Sequence, residues 1–163
     1  MPETKIIATP GMPQIIITRE FDAPRDLVFR AYTEPELLAQ WLGPRVMTMT
    51  IDEYDVRDGG RWRYIHTDPE GTEYGFHGYF HGTPSVAGGI VQTFEFEGAP
   101  GHVMLDTTVL EERDGKTLVR GVSSFQSVED RDAMIGSDME WGVREGDERL
   151  AELLARLQVT ATR

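Results

Sequence analysis

The chain has 163 residues, which is the length of one ordinary domain and is enough to bury a hydrophobic core. It carries 16 Lys and Arg residues against 28 Asp and Glu residues, a formal net charge of -12, and it contains no cysteine. This charge disfavours nucleic acid and anionic membrane surfaces as partners, and the lack of cysteine excludes disulfides and thiolate nucleophiles. The N-terminus shows neither a signal peptide nor a membrane span, so we expect a cytoplasmic protein without membrane insertion.

The first part of the chain predicts a leader, one strand and two short helices. Residues 1–13 contain three prolines and one glycine, and we expect them to form a flexible leader. The β-branched run over residues 14–21 predicts the first strand. Apolar residues at helical spacing after Pro24 predict one helix, and a second short helix ends before Gly43.

The middle of the chain predicts an antiparallel sheet. Six further strand-like runs are separated by short turns that contain glycine or proline. These runs cover residues 46–56, 60–66, 73–82, 89–97, 102–112 and 117–125. Sequential strands joined by such short turns must be antiparallel, because a parallel crossover needs a dozen residues or more.

The end of the chain predicts a long amphipathic helix. Ser137 and Glu140 have the spacing of a capping box, and apolar residues follow at three- and four-residue steps as far as Leu157. The apolar stripe of this helix must cover another element, and the curved sheet is the available one. We therefore predict an α+β fold with about six or seven strands, a single domain over residues 14–158 and a tail over 159–163.

The four histidines do not predict a metal site. His77 and His81 are four residues apart in a strand-like run, so their Cα atoms are expected roughly 13 Å apart. Two imidazoles at that separation cannot share a zinc ion, whose bonds are about 2 Å long. His66 and His102 belong to other strands. The sequence also lacks a dinucleotide-binding fingerprint, so no cofactor is expected.

Aromatic residues alternate along the predicted strands. Trp62, Tyr64 and His66 share one face of a strand, because side chains alternate between the two faces. This pattern fits either a solid core or a partly hollow interior whose aromatic walls enclose a cavity. The polar groups that would face such a cavity are His66, Gln92, Asp106, Thr108 and Ser123.

Several motifs together resemble a known family. They are residues 17–29 (ITREFDAPRDLVF), 33–44 (TEPELLAQWLGP), 58–62 (DGGRW), 92–98 (QTFEFEG) and 148–154 (ERLAELL). In this order they resemble the START-like (SRPBCC) superfamily, and most closely its branch of activator of heat-shock-protein-90 ATPase homologues. The likeness extends over roughly residues 15–158. The resemblance implies a helix-grip fold, in which an antiparallel sheet grips a long C-terminal helix and a cavity between them binds a hydrophobic small molecule.

The resemblance and the alternation of faces together predict the ligand-binding residues. The expected wall residues are Trp41, Trp62, Tyr64, Phe76, Phe80, Phe94, Met104, Phe125, Met134, Met139 and Val143. His66 and Gln92 are expected to orient the ligand, which we expect to be aromatic, polyketide-like or acyl.

Two other functions stay open at this point. One is an enzyme of the polyketide cyclase or dehydratase type, with His66 or Asp106 as its general acid or base. The other is a protein-interaction module that resembles the co-chaperone domain and exposes an apolar patch. The sequence decides neither whether a reaction is catalysed nor whether the protein is a monomer or a homodimer.

Overall fold

The computed structural model describes residues 3–161 and contains eight strands and four helices in that range. The strands are β1 (Lys5–Ile7), β2 (Gln14–Phe21), β3 (Thr48–Tyr54), β4 (Arg61–Thr67), β5 (Glu73–Tyr79), β6 (Ile90–Phe96), β7 (Val103–Arg113) and β8 (Lys116–Ser124). The helices are α1 (Arg25–Thr33), α2 (Pro35–Leu38), α3 (Val128–Ile135) and α4 (Met139–Ala161).

All eight strands form one curved, unclosed antiparallel sheet in the order β1-β2-β8-β7-β6-β5-β4-β3. The strands β3 to β8 follow one another as a meander, and β2 joins β8 at the far side. The long helix α4 lies against the concave face. The predicted α+β class and helix-grip fold are therefore confirmed. Within residues 3–161, no helix is long and apolar enough to cross a membrane.

The N-terminal segment differs from the expected flexible leader. Residues 5–7 form β1, in which Ile6 pairs with Ile17 of β2, and this strand raises the count to eight. Just before it, Thr4 is 5% exposed, and its hydroxyl donates a hydrogen bond of 2.7 Å to Asp147 of α4. The prolines at 10 and 13 lie beyond β1, so they leave this pairing intact. Residues 1 and 2 of the predicted leader lie outside the described residues.

Both ends of α4 differ from the sequence prediction. The Ser137 hydroxyl donates a hydrogen bond of 2.6 Å to the Met134 carbonyl, so Ser137 closes α3 and does not cap α4. Asp138 follows with a φ of 61°, and this left-handed residue separates the two helices. At the other end, α4 continues through residues 159–161 of the expected tail. Residues 162 and 163 lie outside the described part.

Two apolar clusters hold the fold together. The larger one joins the C-terminal half of α4 to α1, α2 and the adjacent ends of β2, β7 and β8, with Leu150, Leu153 and Leu154 at most 2% exposed. The smaller one lies on β4 and its neighbours around Trp62 and Phe80, both 0% exposed. Neither cluster fills the space under the first two turns of α4.

Candidate functional site

A cavity of about 1000 Å³ lies between the concave face of the sheet and the N-terminal half of α4. Strands β2 to β8 contribute its sheet wall, and α3, α4 and residues between 41 and 47 contribute its helical wall. Ligand pockets commonly measure about 300 to 1,000 Å³, so the cavity is at the large end of that range. Of the two interpretations that the aromatic pattern allows, the structure has the partly hollow interior.

Twelve of the thirteen predicted ligand-binding residues line the cavity. They are Trp41, Trp62, Tyr64, His66, Phe76, Gln92, Phe94, Met104, Phe125, Met134, Met139 and Val143. Phe80 does not line it, because it is 0% exposed within the smaller core cluster, with its ring centroid 5.6 Å from that of Tyr54. Trp62 is 0% exposed and stacks on Tyr64 at a centroid distance of 5.0 Å, which holds both rings in the wall.

Strand β2 and the third turn of α4 contribute wall residues that the sequence interpretation missed. Ile15, Ile17 and Arg19 alternate along β2 and all line the cavity. Asp147 lies four residues after Val143, on the same face of α4. The sequence contains both patterns: the β2 residues follow the two-residue period of a strand, and Asp147 follows Val143 by the four-residue step of a helix.

Four aromatic rings form a continuous surface on the inner side of β4, β5 and β6. Phe76 lies at the centre, with ring centroids 5.5 Å from Tyr64, 5.3 Å from Phe94 and 5.2 Å from Phe96. These are the spacings of favourable tilted aromatic pairs, so each ring holds its neighbour in place. The surface is apolar, and it suits a ligand with an aromatic or aliphatic body.

His66 is held as a neutral imidazole. Burial, with the Arg149 guanidinium as a second cause, lowers the His66 pKa to about 4. The ring packs against Gly43, where φ is +93° and an added Cβ would lie 3.0 Å from Nδ1 of His66. Its Nε2 is buried and has no hydrogen-bond partner among the described residues. A group with so low a pKa is a weak base at neutral pH, which argues against His66 as the catalytic candidate.

Asp106 lies in a row of polar side chains across three neighbouring strands. Its register partners are Gln92 on β6 and Ser123 on β8, and all three line the cavity. The Ser123 hydroxyl donates a hydrogen bond of 2.6 Å to Oδ1 of Asp106. Burial raises the Asp106 pKa to about 6, although the Ser123 hydrogen bond acts in the opposite direction. Among the described residues, no cation pairs with this carboxyl and nothing hydrogen-bonds to the Gln92 amide.

A second carboxyl, Asp147, lies where the cavity meets the larger core cluster. Burial raises its pKa, while the Thr4 hydroxyl and the charges of Arg19 and Arg144 lower it. Arg144 also donates a hydrogen bond to the Thr4 carbonyl, so two side chains of α4 fasten the N-terminal segment. Asp147 therefore has both a hydrogen-bond donor and cations nearby, whereas Asp106 has a donor alone.

Charged and aromatic side chains surround the mouth of the cavity. His102, which precedes β7, approaches Asp130 of α3 with its Nδ1 2.9 Å from Oδ1. Trp141 at the start of α4 is 46% exposed and lines the opening. Within residues 3–161, no group of three or more His, Cys, Asp or Glu side chains is arranged to hold a metal ion.

Comparison with known proteins shows the family. The family model described as Activator of Hsp90 ATPase homolog 1-like protein matches residues 22–156. The chain belongs to this family. The match includes α1 to α3, β3 to β8 and most of α4, and so includes most of the cavity wall. No curated protein matches the chain.

Solved structures of similar chains have the same fold as this member of the Activator of Hsp90 ATPase homolog 1-like family. A crystal structure from Rhodobacter sphaeroides is 27% identical, with a TM-score of 0.85, and the match covers 94% of this chain and 99% of that one. A solution structure from Arthrobacter aurescens is 26% identical, with a TM-score of 0.85 and coverages of 93% and 91%. One from Staphylococcus epidermidis is 26% identical, with a TM-score of 0.79 and coverages of 93% and 94%. Membership and fold together support a ligand-binding or related role.

Proposed function

We propose that the protein binds a hydrophobic small molecule in the cavity between the sheet and α4. The observation that carries this proposal is a cavity of about 1000 Å³ whose wall is mainly apolar and aromatic. An apolar void of that size is costly to keep empty, because its lining side chains lose packing contacts. A bound apolar molecule restores those contacts.

Gly121 of β8 offers a way to fill the cavity without disturbing the fold. It lines the cavity, and an added Cβ would meet nothing closer than the Ile17 carbonyl oxygen at 3.8 Å. We expect Gly121→Phe to place a ring in the cavity and to lower the affinity for a neutral apolar dye, Nile red, by at least about tenfold. Because glycine is a poor strand former, thermal stability should be kept or raised.

Leu118→Phe is the matched control. Leu118 lies on the same strand, three residues earlier, and is 37% exposed. The added ring there should leave Nile red binding unchanged.

Amide NMR shifts on titration with Nile red should cluster on the inner face of β4 to β8 and on α4 between 139 and 147. The proposal fails if Nile red and a library of fatty acids, flavonoids and aromatic polyketides all leave these amides unshifted.

Proton transfer on a bound substrate is the second candidate function. It is favoured by Asp106, because a carboxyl whose pKa is about 6 can both take up and release a proton near neutral pH. Conversion of a substrate that is lost in Asp106→Asn, with binding of that substrate retained, would support this candidate. The alternative of a protein-interaction module predicts instead that Gly121→Phe leaves binding to a protein partner unchanged.

A further inference from the structure

Carboxyl groups outnumber cationic groups in the wall of the cavity. Apart from Asp106, those that line it are Arg19, His66, His102, Asp130, Asp138 and Asp147. His66 is neutral, because its pKa is lowered to about 4. The wall therefore carries four carboxyls and a single guanidinium, with His102 paired to Asp130 at the mouth. Such a wall repels anionic ligands and attracts cationic ones.

Two of these carboxyls, Asp106 and Asp138, have no cationic partner among the described residues, and Asp106 is the one withdrawn from bulk solvent, since Asp138 is exposed. Arg19 and Arg144 act on Asp147, and His102 contacts Asp130, whereas among the described residues only burial and the neutral Ser123 hydroxyl shift the pKa of Asp106. Ser123 occupies Oδ1 and the Gln92 amide lies on the adjacent strand. Burial raises the pKa of the Tyr64 hydroxyl, and the nearby Asp106 charge adds to that rise. Carboxylates withdrawn from water are normally paired, and Asp106 is half-buried, so its unpaired carboxylate can take a cationic ligand as its partner.

The surroundings of Asp106 suit an alkylammonium group. Phe94 lies on β6 two residues from Gln92, diagonal to Asp106, and such diagonal pairs have Cα atoms about 7 to 8 Å apart. Tyr64 and Phe76 continue the same aromatic surface. Aromatic faces attract cations, and the attraction is stronger where water is excluded. A carboxylate next to aromatic faces is therefore a site for an organic cation.

We infer that the cavity selects an apolar molecule that carries a protonated amine, with the ammonium bound to Asp106 and the apolar body on the aromatic surface. This inference rests on the proposed function and specifies the class of ligand. The ammonium donates a hydrogen bond to Oδ2 of Asp106, while Ser123 keeps Oδ1. The Gln92 side-chain oxygen can accept a second hydrogen bond from the same ammonium. A fatty acid placed with its headgroup at this position is disfavoured, since its carboxylate would face Asp106.

Three probes of equal body size test the inference: 4-phenylbutylamine, 4-phenyl-1-butanol and 4-phenylbutyrate. At pH 7.5 we expect the amine to bind about tenfold more tightly than the alcohol, because a hydrogen bond to a charged group outweighs a neutral one. The carboxylate should bind most weakly. Isothermal calorimetry on the full chain gives the affinities, and amide NMR shifts locate each probe.

Two variants separate Asp106 from a general effect of negative charge. Asp106→Asn keeps the shape and an oxygen acceptor for Ser123, and it should lower amine affinity about tenfold without weakening the alcohol. Glu111→Gln removes one negative charge from the exposed outer side of the same strand, and it should change neither affinity. If Asp106→Asn fails to fold, the ranking of the three probes on the unaltered protein still decides the inference.

The pH dependence provides an independent measurement. The amine keeps its proton below pH 9, so any change between pH 7.5 and 5 comes from the protein. Protonation of Asp106 in this interval should weaken amine binding about tenfold and leave the alcohol unaffected.

The inference is overturned if the amine binds no more tightly than the alcohol, or if Asp106→Asn leaves amine affinity unchanged. Alcohol binding in the cavity would still support the proposed function, which fails when none of the probes, charged or neutral, binds there.

Discussion

The space beneath α4 has two halves, one packed and one hollow. Under the C-terminal half, Leu150 and Leu154 contact the core cluster that includes Leu110 of β7. Under the N-terminal half, Met139 and Val143 line the cavity. The same strands pass beneath both halves, so the choice of side chain decides which half is filled. The packed half can supply most of the free energy of folding and thereby allows the hollow half to serve binding.

The largest difference between the halves should appear when a long apolar side chain of α4 is truncated. Leu150 is 0% exposed, so Leu150→Ala removes packed atoms and leaves a new void. We expect it to lower the free energy of unfolding by about 2 to 5 kcal/mol. Met139→Ala removes a side chain of similar size that borders an existing cavity, and it should cost less than about 1 kcal/mol. Urea unfolding of both variants measures the difference.

Equal losses in the two variants would contradict the division into halves. That result would mean that Met139 is packed in solution and that the cavity is closed. Alanine is a good helix former, so Met139→Ala does not weaken α4 itself. The change in the free energy of unfolding then reports the contacts of the Met139 side chain. A ligand in the cavity should make Met139→Ala more costly, because the methionine then has something to contact.

The second largest effect concerns Asp106 at the floor of the hollow half. Its pKa is about 6 in the folded protein against an ordinary value of 3.8, so the folded state binds this proton more tightly than the unfolded state does. The stabilising contribution of the protonated form is complete below pH 3.8 and is lost as the pH rises through 6. Asp106→Asn should therefore stabilise the protein above pH 6, by on the order of 1 to 3 kcal/mol.

His66 also contributes to the pH dependence of stability. The difference in stability between Asp106→Asn and the unaltered protein therefore isolates Asp106 better than either pH profile alone. Its folded pKa is about 4 against an ordinary 6.5, so its contribution is present above pH 6.5 and is lost as the pH falls through 4. Asp106 and His66 therefore oppose one another between pH 4 and 6. Subtracting the stability of the unaltered protein from that of Asp106→Asn cancels the His66 contribution. This difference should increase as the pH rises from 4 to 6. Thermal melts at half-unit pH steps would reveal a flat difference if Asp106 were solvated.

The alternation of aromatic and polar residues predicted the inner face of the sheet well. It grouped Tyr64 and His66 on one face, and it placed Asp106 among the polar groups that would face a cavity. The apolar stripe predicted the long C-terminal helix, and the resemblance added that the sheet grips this helix around a cavity. These features depend on periodicity, which a sequence displays directly.

Features that depend on short segments or on exact packing were not accessible in the same way. Strand β1 has three residues, too few to show a period, and its edge position is fixed by contacts with Ile17 and, through Thr4, with Asp147. Phe80 has the correct parity for the cavity, but it is fully packed within the smaller core cluster, against Tyr54. The volume of the cavity depends on rotamers and on sheet curvature, neither of which follows from residue type.

The smallest effect should appear at the boundary between the two halves, where Thr4 meets Asp147. Thr4→Val keeps the shape of the side chain and removes the hydroxyl that donates to Oδ2 of Asp147. We expect a loss of about 1 kcal/mol, since a buried carboxyl loses a hydrogen bond but can take up a proton in compensation. Because the Thr4 hydrogen bond lowers the Asp147 pKa, the variant should raise that pKa further. Amide hydrogen exchange should then speed up at Ile6 and Ile17 and stay unchanged at Leu150, because β1 is tied to α4 at the boundary and the packed half is not altered.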